Sequence, residues 1–237
     1  MQAQCMDALK LCEHYFRVAE RRTPPPQWVP WEGHYKWRYV EKLPQQALLQ
    51  KLARQITGLK SLSILLSTGF LQEVGVLFRV LDEISEDVSF ISLGLIHSDW
   101  TENHRRYLEY FWRESDADGP PTIQRKKIRA FVNRRGGLSD PSSADRVGRE
   151  IHQAYSDYIH ARSAPIMAMV KGPPPNFFLD GIRDPIPRFA YEEQVPSYFY
   201  RALGSAFMVI KVSAPTEVEA CYRDLKAWEV SNHELIL

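Results

Sequence analysis

Cysteine is scarce in this chain: Cys5, Cys12 and Cys221 are an odd, scattered set. That excludes a disulfide framework, and with no CxxC pair it also excludes the usual zinc spacings, so a reducing compartment is the simplest setting. Long apolar runs are missing too. None approaches the ~20 residues that a membrane-spanning helix needs, and the opening residues lack the basic stretch and apolar core of a secretory signal. The chain is therefore expected to be soluble and cytoplasmic, with no membrane contact. Net charge is nearly absent, +1 from 30 Lys and Arg against 29 Asp and Glu, so no global field draws the protein to nucleic acid or lipid. The phosphate-loop patterns GxxxxGK[ST] and GxGxxG do not occur, nor do GxSxG or a catalytic-cysteine signature.

What is abundant is apolar residues at helical spacing, 44% of the chain, ample for a packed core. Met6, Leu9, Cys12, Phe16 and Ala19 recur at three- and four-residue steps and predict a helix over 3–22, ended by Pro24-Pro25-Pro26. Pro44 opens a second helix whose stripe is Leu48, Leu49, Leu52, Ile56, Leu59, Leu62 and Leu66. A third helix runs from about Phe70 to Ile91, with Gly69 as a break or a tight contact before it. Thr101 caps a fourth, and a basic helix follows Pro120-Pro121. Asp140 or Ser142 opens the helix that carries His152 and His160, and residues 196–230 are helical again. These periods predict an all-α fold, a multi-helix bundle in one domain spanning 1–237. Two segments break the pattern. Residues 23–43, rich in Trp and Pro, read as a strap laid on the bundle, with the tryptophans as core-covering anchors in preference to a stacking platform for bases or a partner peptide. Residues 171–196 read as a Pro-rich loop or hairpin insert, with a short β-hairpin near 176–190 turned by Asp180-Gly181.

Three groups of polar residues stand out as candidate sites. Arg79 and Glu83 lie one turn apart at the edge of the apolar stripe Val76, Val80, Ile84, Ile91; residues four apart on a helix can pair, and a charge beside a core usually needs a partner. His152, Ser156 and His160 form a polar row beside an apolar face that holds Ile151, Tyr155, Tyr158 and Ile159. Such a row offers a hydroxyl and two imidazoles that titrate near working pH. The basic helix carries Arg125, Lys126, Lys127 and Arg129, candidate contacts for phosphates, with Ile128 and Phe131 as its apolar seam. His97, Asp99, Glu102 and His104 fit no two-His helical motif, and no metal or other cofactor is expected.

An apolar helix ending in Gly69, the run from Glu73 through Phe78-Arg79 to Asp82-Glu83, and a distant Tyr155-Ser156-Asp157-Tyr158-Ile159-His160 resemble a group of bacterial helical proteins that look like distant members of the HEPN superfamily. The resemblance covers roughly residues 48–160. It implies a HEPN-like helical bundle acting as a binding or scaffold module for a protein partner or RNA, in a stress or phage-defence setting. The alternative it implies is a metal-independent, toxin-type endoribonuclease. There His160 or His152 would carry the proton, assisted by Ser156, and Arg146 would steady the phosphate charge at an interhelical or homodimer cleft. Arg146 and His152 have the motif's spacing, with Val147 where that motif has a polar residue.

Overall fold

A computed structural model describes residues 3–113, 123–136, 146, 150, 153–182 and 184–235. Four long helices make the core: α1 (Ala3–Arg22), α2 (Pro44–Thr68), α3 (Leu71–Ile96) and α9 (Val195–Ser213). α2 and α3 form an antiparallel pair, α9 packs against α1, α2 and α3, and α10 (Val218–Ser231) lies over α1 and α9. The stripe read from sequence is the buried face of α2: Leu48, Leu52, Leu59 and Leu62 are fully enclosed and meet Phe78, Leu81 and Ile91 of α3. Each such side chain contributes about 1.5–3 kcal/mol on leaving water. Small residues on α9 (Ala202, Ser205, Ala206) and on α1 (Ala8, Cys12, Ala19) are buried, which lets these helices approach closely. The thiols of Cys5 and Cys221 are pushed up by burial to about 11 and about 12, and Cys12 rises further, so all three are inert in the folded state.

The ends of the helices follow from local chemistry. Pro44 sits at the first turn of α2, where its missing amide costs nothing, and Gln46 Oε1 accepts from the Leu43 amide at 2.8 Å. α2 stops at Gly69, which takes the left-handed conformation (φ +82°). The Gly69 carbonyl then accepts from the Ile182 amide at 2.7 Å, so Gly69 is both helix terminus and close contact. α4 (Glu102–Phe111) starts at Thr101, whose amide donates to His104 Nδ1 at 3.0 Å. That leaves Nε2–H to donate to the Phe90 carbonyl at 3.1 Å. This imidazole is fully buried, stacked on Phe90, and its pKa is lowered by burial; it is a neutral core residue. α5 (Arg125–Arg135) packs on α3.

The structure departs from the expected elements in four places. The strap is instead a β-hairpin, β1 (Gln27–Trp31) paired antiparallel with β2 (His34–Arg38). The insert's hairpin pairs β3 (Val170–Lys171) with β4 (Asn176–Phe177), turning through 172–175 and not at Asp180-Gly181. Gly181 (φ +86°) serves another end: a Cβ there would lie 2.2 Å from the Thr68 carbonyl oxygen, so its bare backbone permits contact with the end of α2. A short helix, α7 (Ser163–Met167), precedes the insert, and the insert itself holds α8 (Pro185–Glu192) after β4, opened by Asp184, which accepts from the Ile186 amide at 3.1 Å. Finally the last helical stretch breaks at Ala214-Pro215, where proline cannot donate. No helix among the described residues is long and apolar enough to cross a membrane.

Candidate functional site

Helix α3 carries a second stripe besides its apolar one. Arg79, Asp82, Glu83, Glu86 and Asp87 are spaced three, one, three and one residues apart, which places them on one side of the helix. This stripe is largely withdrawn from water, and Asp87 is only 1% exposed. Burying carboxylates is costly unless cations meet them, and three other helices supply those cations. From α2, Lys51 Nζ stands 2.7 Å from Asp87. From α5, Arg125 pairs with Asp87 and reaches Glu83 at 3.3 Å, while Arg129 Nη1 lies 3.6 Å from Glu86. From α9, Arg201 pairs with Asp82, which also accepts from Tyr198 Oη at 3.3 Å. Within the stripe, Arg79 Nη2 meets Glu83 Oε1 at 2.6 Å. Five cations thus enclose four carboxylates.

The electrostatics follow from that enclosure. Burial works against the charge on Arg125, but Asp87 and Glu83 together outweigh it and the net shift is upward. Burial lowers Arg79 despite Glu83 and raises Asp82 despite Arg201. Glu86 shows the largest imbalance among the four acids: burial, opposed by Arg129 and Arg125, pushes its carboxyl up to about 7. The folded protein holds this proton more tightly than the unfolded chain, where a Glu titrates near 4.3. The stability linked to this group is present below the unfolded value and lost as pH rises through about 7. Glu86→Gln removes that titration. The variant is expected to melt like wild type near pH 4.5 and above it near pH 8, a gain on the order of 2–3 kcal/mol at the high end. Melting curves of both proteins across this range check it; an advantage that shrinks with rising pH contradicts it.

The two stretches singled out in the sequence do pack together, through aromatic rings. Residues 153–159 form α6. Gly75 of α3 makes room for the Tyr158 ring, since a Cβ there would stand 2.5 Å from Tyr158 Cδ1. Phe78 stacks on Tyr198 at 4.3 Å and tilts against Tyr155 at 5.5 Å. Tyr158 Oη lies 2.8 Å from Tyr191 Oη, and Tyr155 donates to Gln194. Ser156 and His160 of the polar row lie outside this contact. Ser156 is half-buried, and His160 is exposed in the turn after α6. Arg162 is exposed and pairs with Asp157 at 3.2 Å. Arg146 is an exposed helical residue, and His152 lies outside the described residues. Arg79 and Glu83 are brought together as a pair; Arg146, Ser156 and His160 are not gathered around them. The basic helix divides by face: Lys126 and Lys127 are exposed, while Arg125 and Arg129 turn inward to the acidic stripe.

Sequence reasoning missed Lys51, Asp82, Asp87 and Arg201. The available signal was the match between the acidic spacing 82, 83, 86, 87 and the four-residue step of Arg125 and Arg129. Among the described residues no set of three or more His, Cys, Asp or Glu is placed to hold a metal. Two concavities lie away from the stripe. One is a groove of about 690 Å³ beside α4, with Trp100, Leu108 and Trp112 in its wall. The other is a cleft of about 290 Å³ between α2 and the start of α9, bordered by Ser63, Leu66 and Val195. Set against known proteins, the chain matches no family profile, no curated sequence and no solved structure.

Proposed function

We propose that this chain is a HEPN-like helical-bundle module that binds or scaffolds a protein partner or RNA. One observation carries the reading: the charged stripe of α3 is engaged by cations from α2, α5 and α9, while Ser156 and His160 stand apart from it. A stripe paired on three sides fixes the register of four helices, the role best attested for buried ion pairs. Proton transfer, by contrast, needs a base held within hydrogen-bond reach of its proton by neighbouring groups, and His160 is an exposed turn residue.

The test is incubation of the purified protein with single-stranded RNA, for wild type and His160→Ala. Both are expected to leave the RNA intact. Their stabilities are expected to agree within about 0.5 kcal/mol, because an exposed side chain contributes little. RNA cleavage by wild type that His160→Ala abolishes would replace this reading with the ribonuclease.

A further inference from the structure

Among the described residues, the hairpin formed by β1 and β2 shares no extensive interface with any helix; its strands pack mainly on each other. An isolated two-stranded hairpin is marginal in water, so its side chains must hold it together. Strand alternation sorts them into two faces. Trp31 and Lys36 share one, where Lys36 Nζ stands 3.1 Å from the Trp31 ring centroid. Trp28, Pro30, Tyr35 and Trp37 share the other, as the cross-strand pairs Trp28↔Trp37 and Pro30↔Tyr35. The three rings of this second face are contiguous: Trp28 lies 5.0 Å from Trp37 and nearly parallel to Tyr35, at 6.4 Å. They remain 53%, 55% and 61% exposed for Trp28, Tyr35 and Trp37. The tryptophans at 28 and 37 therefore do not serve as core anchors. Contiguous exposed aromatic surface marks an interaction site.

The surface continues beyond the hairpin. Tyr39, two positions after Trp37, meets the Trp112 ring at 6.3 Å. Trp112 and Trp100 form part of the 690 Å³ groove, a volume within the range of ligand sites. Lys42, Arg105 and Arg113 border the same groove with Glu109, and Arg105 there is paired with both Glu102 and Glu109. Arg21 and Arg22, both exposed, end α1 just before the hairpin begins. Between residues 21 and 42 the chain carries five cations (Arg21, Arg22, Lys36, Arg38, Lys42) against two acids (Glu32, Glu41), so positive charge exceeds negative beside the exposed aromatic rings.

We infer that the aromatic face of the hairpin and the groove at its base form one track for single-stranded RNA. This rests on the binding-module reading and supplies its partner. Unpaired bases stack on Trp and Tyr faces, and phosphates are attracted by Lys and Arg alongside. A proline-rich peptide would use the rings but gain little from the cations. A base-paired strand keeps its ring faces stacked internally and cannot offer them.

The experiment is anisotropy of a fluorescein-labelled oligouridylate titrated with the full chain at several salt concentrations. Wild type is expected to bind, more weakly as salt rises. Trp28→Ala combined with Trp37→Ala is expected to weaken binding about tenfold or more, with helical circular dichroism and the melting transition of the bundle unchanged. Because the paired alanines could also loosen the hairpin, two further variants separate stacking from folding. Tyr35→Ala keeps the Trp pair and is expected to lose about fivefold, and the double Trp→Phe variant is expected to keep most of the affinity. Arg22→Glu with Lys42→Glu should flatten the salt dependence. Absence of binding by wild type, full affinity in the paired alanine variant, or equal affinity for duplex RNA overturns the inference. Binding of an oligoproline peptide at the hairpin, with oligouridylate ignored, also overturns it while leaving the binding-module reading in place. RNA cleavage lost with His160→Ala would instead remove that underlying reading.

Discussion

Asp87→Ala is expected to destabilise the fold by about 3–5 kcal/mol, the range for breaking a buried ion pair by removing one partner. The carboxylate is 1% exposed and is shared by Lys51 and Arg125. Truncation leaves both cations behind, in a site where burial already works against the Arg125 charge. It also removes the acid that, after burial, does most to hold the neighbouring Tyr107 hydroxyl well above its ordinary pKa. Surface pairs behave differently: Arg105 with Glu102 and Glu109 is exposed to water, and such pairs contribute about 0–1 kcal/mol. Urea unfolding followed by circular dichroism measures the difference. A loss below about 1 kcal/mol would mean that the stripe is solvated and that the helices are held by apolar contact alone.

Gly69→Ala is expected to cost roughly 2–5 kcal/mol, from a left-handed backbone and from overpacking together. Gly69 has φ +82°, and a Cβ there would stand 2.4 Å from the Ile182 carbonyl oxygen. That neighbour is backbone and cannot swing away as a side chain can. Gly33→Ala is the matched control. It has the same φ of +82°, but nothing lies within 4 Å of its Cβ position, so only the conformational cost of about 1–2 kcal/mol applies, and it falls on the hairpin and leaves the bundle's unfolding transition nearly unchanged. The two variants are compared by urea unfolding. If they lose equal stability, the 181–182 segment does not seat on the end of α2 as described.

The parts of this fold legible in the sequence are those with one dominant period. The leucine stripe of α2 and the proline at its start each have a single physical reading, and the structure follows them; Gly69 has two, a break or a tight contact, and it serves as both. The Arg79–Glu83 pair was legible because four-residue spacing guarantees proximity. Its setting was not. Arg125 and Arg129 were read as part of a basic run, whereas what matters is the face each occupies. Charge density along a sequence carries no information about which side of a helix a residue is on, and Lys126 and Lys127 lie exposed between two inward arginines. The first hairpin was obscured by Pro30, which weakens any strand assignment. The signal for it was Glu32-Gly33, both with positive φ, the two-residue turn that suits paired strands. The tryptophans of the strap admit two readings, core anchor or stacking platform, and composition favours the anchor because tryptophan usually covers a core; exposure decides for the second at Trp28 and Trp37.

The packing of α1 carries a consequence for how the chain is made. Its closing contacts include Tyr15 donating to Asp224 at 2.7 Å, across 209 residues, and the Trp228 indole donating to the Gln4 carbonyl at 2.9 Å. A ribosome adding roughly 5–20 residues per second needs on the order of ten to forty seconds to cover that separation. Through that interval Ala8, Cys12 and Ala19 have no α9 or α10 to rest on. The face of α1 that α9 and α10 cover is therefore closed late, and the nascent polypeptide offers chaperones an apolar strip until those partners leave the exit tunnel.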